Sequence, residues 1–219
     1  MSTHCPSTRC HSSAASRHDH GAAFDGMSAG YRRALIWVLV LNGGMFVIEM
    51  LAGALAGSRA LQADALDFLA DSLTYGLSFW VLGKPLRWRS YAALAKGVSL
   101  LLIGGWVLGS TLWEAFTVHQ PQPEVMGVIG LLALAANVAS VLILLRYRDG
   151  DANVRSVWLC SRNDAIGNVA VLGAAGLVAW LGSGWPDLLV AGAMAGLFLH
   201  SATLILRQAL RELRSGCSG

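Results

Sequence analysis

Charged residues are scarce in this sequence, and their scarcity indicates the class of protein. Only 13% of the 219 residues are Asp, Glu, Lys or Arg, while 55% are hydrophobic. A soluble globular domain carries about 25% charged residues, so this composition indicates an integral membrane protein whose first partner is the lipid bilayer. The sequence also has no basic patch interleaved with aromatic residues, so we expect no nucleic-acid partner.

The first 30 residues lack the apolar run that a signal peptide needs. They are small and polar, and we expect residues 1–30 to form a disordered cytoplasmic tail. His and Cys side chains recur in this tail, and both are zinc ligands. An inert terminus is one interpretation, and loose metal capture is the other. The residues that would capture metal are His4, Cys5, Cys10, His11, His18 and His20.

Long apolar runs make up most of the remaining chain. A spanning helix needs about 20 mostly apolar residues. Six stretches meet that requirement, at 34–56, 60–82, 91–116, 124–146, 156–181 and 186–207. We therefore predict an all-α integral membrane fold with six transmembrane helices in one domain, residues 31–210, followed by a short tail at 211–219.

The positive charges are distributed unevenly around these spans. Thirteen of the 16 Lys and Arg residues lie in the N-terminal segment, the second and fourth loops and the C-terminus, which all fall on one side. Lys and Arg accumulate on cytoplasmic segments, so we expect both termini to be cytoplasmic in a bacterial inner membrane. The cysteines then lie on the reducing side or within a helix, and we expect no structural disulfide.

The second span contains an acidic stripe, which we define as Asp64, Asp67 and Asp71. Their i, i+3, i+7 spacing places them on one face of a helix. A carboxylate in hydrocarbon is costly, so this face must point into the bundle, and such residues are candidates for a functional site. Hydrogen bonding between helices is the alternative, but membrane proteins usually employ Ser, Thr, Asn or Gln for it.

The fifth span carries a second polar stripe, with Cys160, Asp164 and Asn168 at i, i+4 and i+8. A lone Cys in a helix usually behaves as a small buried hydrophobic residue. Its pairing with Asp164 makes Cys160 a candidate metal ligand. Two pairs with four-residue spacing, Asp67 with Asp71 and Cys160 with Asp164, can close around one divalent cation.

Other polar residues within the spans require partners or a route to water. We hypothesise that Arg162 pairs with Glu49 or Asp64, and the alternative is a structural ion pair without a transport role. Asn42 and Glu49 are seven residues apart and point the same way, so they either line the cavity or pack the first helix. We expect Lys96 to extend towards the cytoplasmic interface.

Six spans, cytoplasmic termini, the segment DFLAD in the second helix and CSRND in the fifth resemble the cation diffusion facilitator family of divalent-metal exporters, over about residues 33–210. The resemblance implies that Asp67 and Asp71 match one ligand pair of the family's transport site and that Asp164 matches the second acid of the other. Cys160 stands where the family usually has His. The resemblance also implies a homodimer. The family typically continues into a cytoplasmic ferredoxin-like domain, and we expect a short form without it.

The donor set favours a soft or borderline cation, because thiolate suits Zn²⁺ whereas Mg²⁺ prefers oxygen ligands with retained water. We therefore expect efflux of Zn²⁺, and also of Cd²⁺ or Co²⁺, in exchange for protons, with no resident cofactor and no enzymatic activity. Two alternatives stay open: a proton-driven exporter of small molecules, and a membrane metal sensor that transports nothing. An intramembrane hydrolase is disfavoured because the spans contain no Ser/His pair or zinc-plus-base constellation.

Overall fold

The structure is a computed structural model that describes the backbone of residues 29–81, 86–117, 120–147 and 152–215. Within these ranges, the side chains of residues 29, 78, 80–81, 86–90, 152–163 and 212–215 are not described. Of the tail predicted at residues 1–30, residues 1–28 lie outside the described residues, whereas Ala29 and Gly30 already belong to the first helix. The side chains of Cys160 and Arg162 also lie outside the described residues.

The described residues form helices joined by short connections. The six α-helices are α1 (Ala29–Ala56), α2 (Arg59–Val81), α3 (Leu86–Ala115), α4 (Pro123–Leu144), α5 (Ala152–Leu181) and α6 (Trp185–Ser215). A 3-10 turn, Leu145–Tyr147, extends α4. The helices coincide with the six predicted apolar stretches, and several continue further into polar sequence. This happens because backbone hydrogen bonds continue a helix beyond the apolar residues that mark the bilayer core.

The bundle has an apolar exterior, and its largely apolar interior also contains polar side chains. Large apolar side chains such as Leu55, Trp113 and Phe116 are exposed on its surface, whereas Asn42, Glu49 and several other polar side chains are buried. An apolar exterior of this kind is unfavourable in water and favourable in the hydrocarbon of a bilayer, since a lipid-facing surface must be apolar. The fold is that of a helical membrane protein.

Among the described residues, five helices are long and apolar enough to cross a bilayer: α1, α3, α4, α5 and α6. The exception is α2, which we also predicted as a span. Its length of 23 residues is sufficient, but it carries all three aspartates of the acidic stripe. Each acid lowers the hydropathy of the helix, so composition alone does not identify α2 as a span.

The acidic helix α2 lies at the centre of the bundle and packs against each of the other five helices. The most extensive pairings among the others are α3 with α6 and α4 with α5. Glycine permits the close approach of α3 to α6: a Cβ added at Gly97 would lie 2.8 Å from Cγ of Leu206. Small residues at such crossings are typical of membrane helices. The central position of α2 surrounds its acids with protein.

A tight turn connects α1 to α2. Gly57 adopts a φ of 65°, a left-handed conformation that favours glycine. Ser58 follows and caps α2, since its hydroxyl accepts a hydrogen bond from the backbone N–H of Leu61 at 3.1 Å. The close contact of Gly53 with Gln62 shows that the two helices run back along each other from this turn.

Candidate metal centre

The acidic stripe of α2 points into the protein, as its spacing predicts. Asp64 and Asp71 are buried, and Asp67 is half-buried. The alanines on either side of Asp64, Ala63 and Ala65, are fully buried as well, because neighbouring helices surround α2 on several sides. Three carboxylates on 23 residues of helix are thus withdrawn from the lipid-facing surface.

The structure brings acids of α2 and α5 together. The carboxyl groups of Asp67 and Asp71 both lie within hydrogen-bonding reach of Asp164. The i, i+4 spacing on α2 creates a gap that a side chain from the facing helix enters. We call Asp67, Asp71 and Asp164 the three-carboxylate centre. It contains three of the four residues that we predicted as metal ligands.

Two neighbouring side chains contact or influence this centre. The hydroxyl of Tyr75, itself fully buried, donates a hydrogen bond to Oδ2 of Asp71 one turn along α2. Lys96 of α3 is near enough for its positive charge to act on both Asp67 and Asp71. Lys96 is half-buried, and its expected extension towards the cytoplasmic interface stays a prediction. Its electrostatic influence on the two acids follows from the packing of α3 against α2, which the sequence alone does not reveal.

The fourth predicted ligand, Cys160, precedes Asp164 by one turn in α5. Its side chain lies outside the described residues, so its part in the centre stays a prediction, as does the pairing of Arg162 with Glu49 or Asp64. Among the side chains that the structure does describe, no three His, Cys, Asp or Glu residues are gathered tightly enough to hold a metal ion. The three-carboxylate centre would therefore need to contract, or to gain Cys160, before it could coordinate one.

Further polar side chains are buried inside the bundle and carry atoms without hydrogen-bond partners. Both carboxylate oxygens of Glu49, Oδ2 of Asp64, Oδ1 of Asn42 and both amide atoms of Asn168 are buried and unpaired. Glu49 and Asp64 lie within hydrogen-bonding reach of each other, but no described N–H or O–H group donates to either oxygen of Glu49 or to Oδ2 of Asp64. Each of these four residues is at most 1% exposed. For Asn42 and Glu49, lining the cavity was one of the two interpretations that the sequence left open.

Comparison with known proteins settles the family. The family model described as the cation efflux transmembrane domain matches residues 35–214, which is most of the chain and includes most of every helix. The chain belongs to the cation efflux family. This confirms the resemblance inferred from DFLAD and CSRND, and it confirms that the fold is a membrane domain.

Curated relatives of this cation efflux domain carry names that refer to metal transport. The chain is 26% identical over 220 residues to a cadmium, cobalt and zinc/H⁺-K⁺ antiporter of Bacillus velezensis, with 92% of this chain aligned. It is 26% identical over 213 residues to the metal cation efflux system protein CzcD of Cupriavidus metallidurans, with 91% aligned. It is 28% identical over 203 residues to the zinc transporter ZitB of Escherichia coli, with 84% aligned. The chain spans 68%, 65% and 63% of the lengths of these relatives, respectively.

One polar cluster of the cation efflux domain escaped the sequence analysis. Asp187, in the first turn of α6, accepts hydrogen bonds from the hydroxyl of Ser58 at 2.6 Å and from the backbone N–H groups of Arg59 at 2.7 Å and Ala60 at 3.1 Å. The Arg59 guanidinium also pairs with Glu114 at the end of α3. The N-terminus of α2 is thereby tied to α6 and α3. A Ser directly before a helix is a recognisable N-cap signal, so the Ser58 cap could have been predicted from the sequence. The hydrogen bond from Ser58 to the distant Asp187 could not.

Proposed function

We propose that this chain exports a divalent transition-metal cation, Zn²⁺ first and then Cd²⁺ or Co²⁺, in exchange for protons. The observation that carries the proposal is the convergence of Asp67, Asp71 and Asp164 from two helices inside an otherwise apolar bundle. Acids in such a place are costly, and they are typical of ion pathways and proton relays. The family and the printed names of its relatives support the same cargo.

The ligand set that we propose is the three-carboxylate centre together with Cys160. Carboxylate oxygen alone would suit Mg²⁺ or Ca²⁺, whereas a thiolate shifts preference towards Zn²⁺ and softer ions. Tyr75 would orient Asp71 through its hydrogen bond. No other ligand is assigned to the centre, so the identity of residue 160 becomes the main determinant of which metal binds.

Exchange with protons follows from the crowding of like charges in this centre. Buried carboxylates that lie within hydrogen-bonding reach of one another cannot all be ionised without a compensating cation. Either protons or a metal ion can supply that compensation, together with the nearby charge of Lys96. Metal binding therefore releases protons, and protons arriving from the other face displace the metal. This competition is the basis of an antiporter.

The proposed arrangement in the membrane has α2 as the sixth span, shielded by its five neighbours. Both termini face the cytoplasm of a bacterial cell because the basic residues flank that side. Export is then movement from the side of the termini to the side of the α1–α2 turn. Assembly as a homodimer and metal capture by the His- and Cys-containing tail stay predictions.

A flux assay in vesicles tests this function. The purified chain is reconstituted in vesicles whose lumen is more acidic than the medium. Zn²⁺ should then enter the lumen as protons leave it. Asp67→Ala and Asp164→Ala should each lower the rate more than about 100-fold, since losing even an outer partner of a ligand lowers affinity about 10- to 100-fold. Glu124→Ala is the matched control, because this exposed acid lies at the start of α4, away from the site.

The same vesicles distinguish the competing interpretations. Wild-type rates in Asp67→Ala or Asp164→Ala would rule out this centre. Binding of Zn²⁺ without flux in the wild type would favour a sensor. In a competition between Zn²⁺, Cd²⁺, Co²⁺, Mn²⁺ and Fe²⁺, Cys160→His should change the order of preference if the thiol is a ligand, and an unchanged order would remove Cys160 from the ligand set.

A further inference from the structure

The polar residues left unpaired beside the three-carboxylate centre form a group of their own. Glu49 of α1 is 0% exposed, and no described N–H or O–H group donates a hydrogen bond to either of its carboxylate oxygens. It faces Asp64 of α2, whose Oδ2 is also buried and unpaired, and it is near enough to interact electrostatically with Asp67. Two carboxylates thus confront each other across the α1–α2 contact, and no cation is found among the described side chains that act on either of them.

Asn168 of α5 supplies an independent observation. It is 0% exposed, and neither its amide oxygen nor its amide nitrogen has a partner. It follows Asp164 by four residues, so it lies on the helix face that meets α2. Burying an amide without hydrogen bonds is unfavourable, so a bound species that uses these atoms would offset that cost.

The register of the helices places Asn168 at the depth of Asp64. Helices joined by short connections run antiparallel, so α2 and α5 run in opposite directions. Asp164 lies level with Asp67 and Asp71, so one turn further along α5 corresponds to one turn back along α2. Glu49 reaches the same level from α1, because α1 runs back along α2 from the turn at Gly57.

We propose that Glu49, Asp64 and Asn168 form a second cation position, one helical turn from the three-carboxylate centre towards the α1–α2 turn, which the transported ion occupies in transit. Its donors are oxygen atoms only, two carboxylates and one amide, so it resembles the sites of hard divalent cations. A single cation would engage the unpaired oxygens of all three side chains. A proton shared by Glu49 and Asp64 would leave the amide unsatisfied.

This inference rests on the proposed transport function and gives it a direction. An ion that leaves a centre containing a thiolate for one containing only oxygen loses the ligand that soft cations prefer. The second position therefore binds Zn²⁺ more weakly than the first. A weaker position nearer the exit favours release, because conduction requires that each site be left as readily as it is entered.

Binding of Mn²⁺ tests the second position, since this hard ion suits oxygen donors better than the Cys and His residues of the tail. The full chain in detergent is dialysed against Mn²⁺, and bound ion per chain is measured for wild type, Glu49→Gln, Asp164→Asn and Glu124→Gln. We expect Glu49→Gln and Asp164→Asn each to lose one equivalent relative to wild type, their combination to lose two, and Glu124→Gln to lose none.

The outcomes separate this inference from the function on which it rests. Wild-type binding by Glu49→Gln would overturn the second position, whether a shared proton or another group neutralises the pair. An additional equivalent that appears only in Arg162→Ala would also overturn it, by showing that the guanidinium occupies the place of the cation. Loss of one equivalent in Asp164→Asn reports the first centre independently. If adding Asp164→Asn to Glu49→Gln removes one further equivalent, the first centre still binds Mn²⁺ in Glu49→Gln, and that variant is therefore folded.

Discussion

Asp187 stabilises the first turn of α2 from the start of α6, and its replacement should weaken the whole bundle. Both of its carboxylate oxygens are engaged, by Ser58 and Ala60 on one oxygen and by the N–H of Arg59 on the other. Asp187 and Ser58 are each 0% exposed. Asp187→Ala would leave a buried hydroxyl and two helix-terminal N–H groups without an acceptor, whereas Asp187→Asn would retain one carbonyl oxygen.

The size of the effect follows from these three hydrogen bonds. Bonds between helices in membranes contribute about 0.6 kcal/mol each, so three would amount to about 2 kcal/mol. Bonds to a charged group in soluble proteins contribute about 1.5–3 kcal/mol, so three would amount to about 5 kcal/mol or more. Asp187 lies at the end of a span, between the two environments. We expect Asp187→Ala to lower the free energy of unfolding by about 3 kcal/mol and Asp187→Asn by about half of that.

Denaturant unfolding in detergent, followed by fluorescence of the 8 tryptophans, measures this difference. Glu124→Ala is the control, since Glu124 also lies in the first turn of a helix but is exposed. Glu124→Ala loses only the interaction of the carboxylate with the helix dipole, and this interaction contributes about 0.3–1 kcal/mol. The reasoning is refuted if Asp187→Ala and Glu124→Ala unfold with the same free energy.

Two further predictions concern packing and the orientation of a ligand. Gly97→Ala should destabilise the bundle by about 1–2 kcal/mol in the same unfolding assay, because the new methyl group collides with Leu206. Gly105→Ala is the control and should be neutral or slightly stabilising, because nothing lies within 4 Å of its added Cβ. Equal effects of the two substitutions would contradict the contact between α3 and α6. Tyr75→Phe should raise the apparent KM for Zn²⁺ about 3- to 10-fold in vesicles, because it removes the hydrogen bond to Asp71. An unchanged KM would show that the hydroxyl does not orient that ligand.

The helices and the acidic stripe could be predicted from the sequence because both depend on local periodicity. A run of apolar residues sufficient to cross a bilayer marks each helix, and the spacing of Asp67 and Asp71 places them on one face whatever the neighbours are. The facing position of Asp164 followed from the family resemblance. That these residues bind metal stays a prediction.

Relations between distant helices could not be predicted in the same way. Lys96 acts on the acids of α2 because α3 packs beside them, and Asp187 caps α2 from a position 127–129 residues away along the chain. No periodicity encodes such pairs. Helix ends were also uncertain: α6 continues to Ser215, beyond the apolar stretch, because polar residues can extend a helix into water.

The long-range cap on α2 has a consequence for how the chain is made. An aspartate near the middle of a helix opposes insertion into the membrane by about 2.5–3.5 kcal/mol, so α2 is a poor candidate to enter the bilayer alone and must enter paired with α1. The first turn of α2 then lacks its hydrogen-bond acceptor until Asp187, which lies almost 130 residues later in the chain, has been synthesised. Until α6 is inserted, the acids and the uncapped turn form an incomplete interior. We therefore expect the environment of the acidic helix to be complete only after α6 is inserted, and a polypeptide arrested before Asp187 to leave the first turn of α2 without its long-range acceptor.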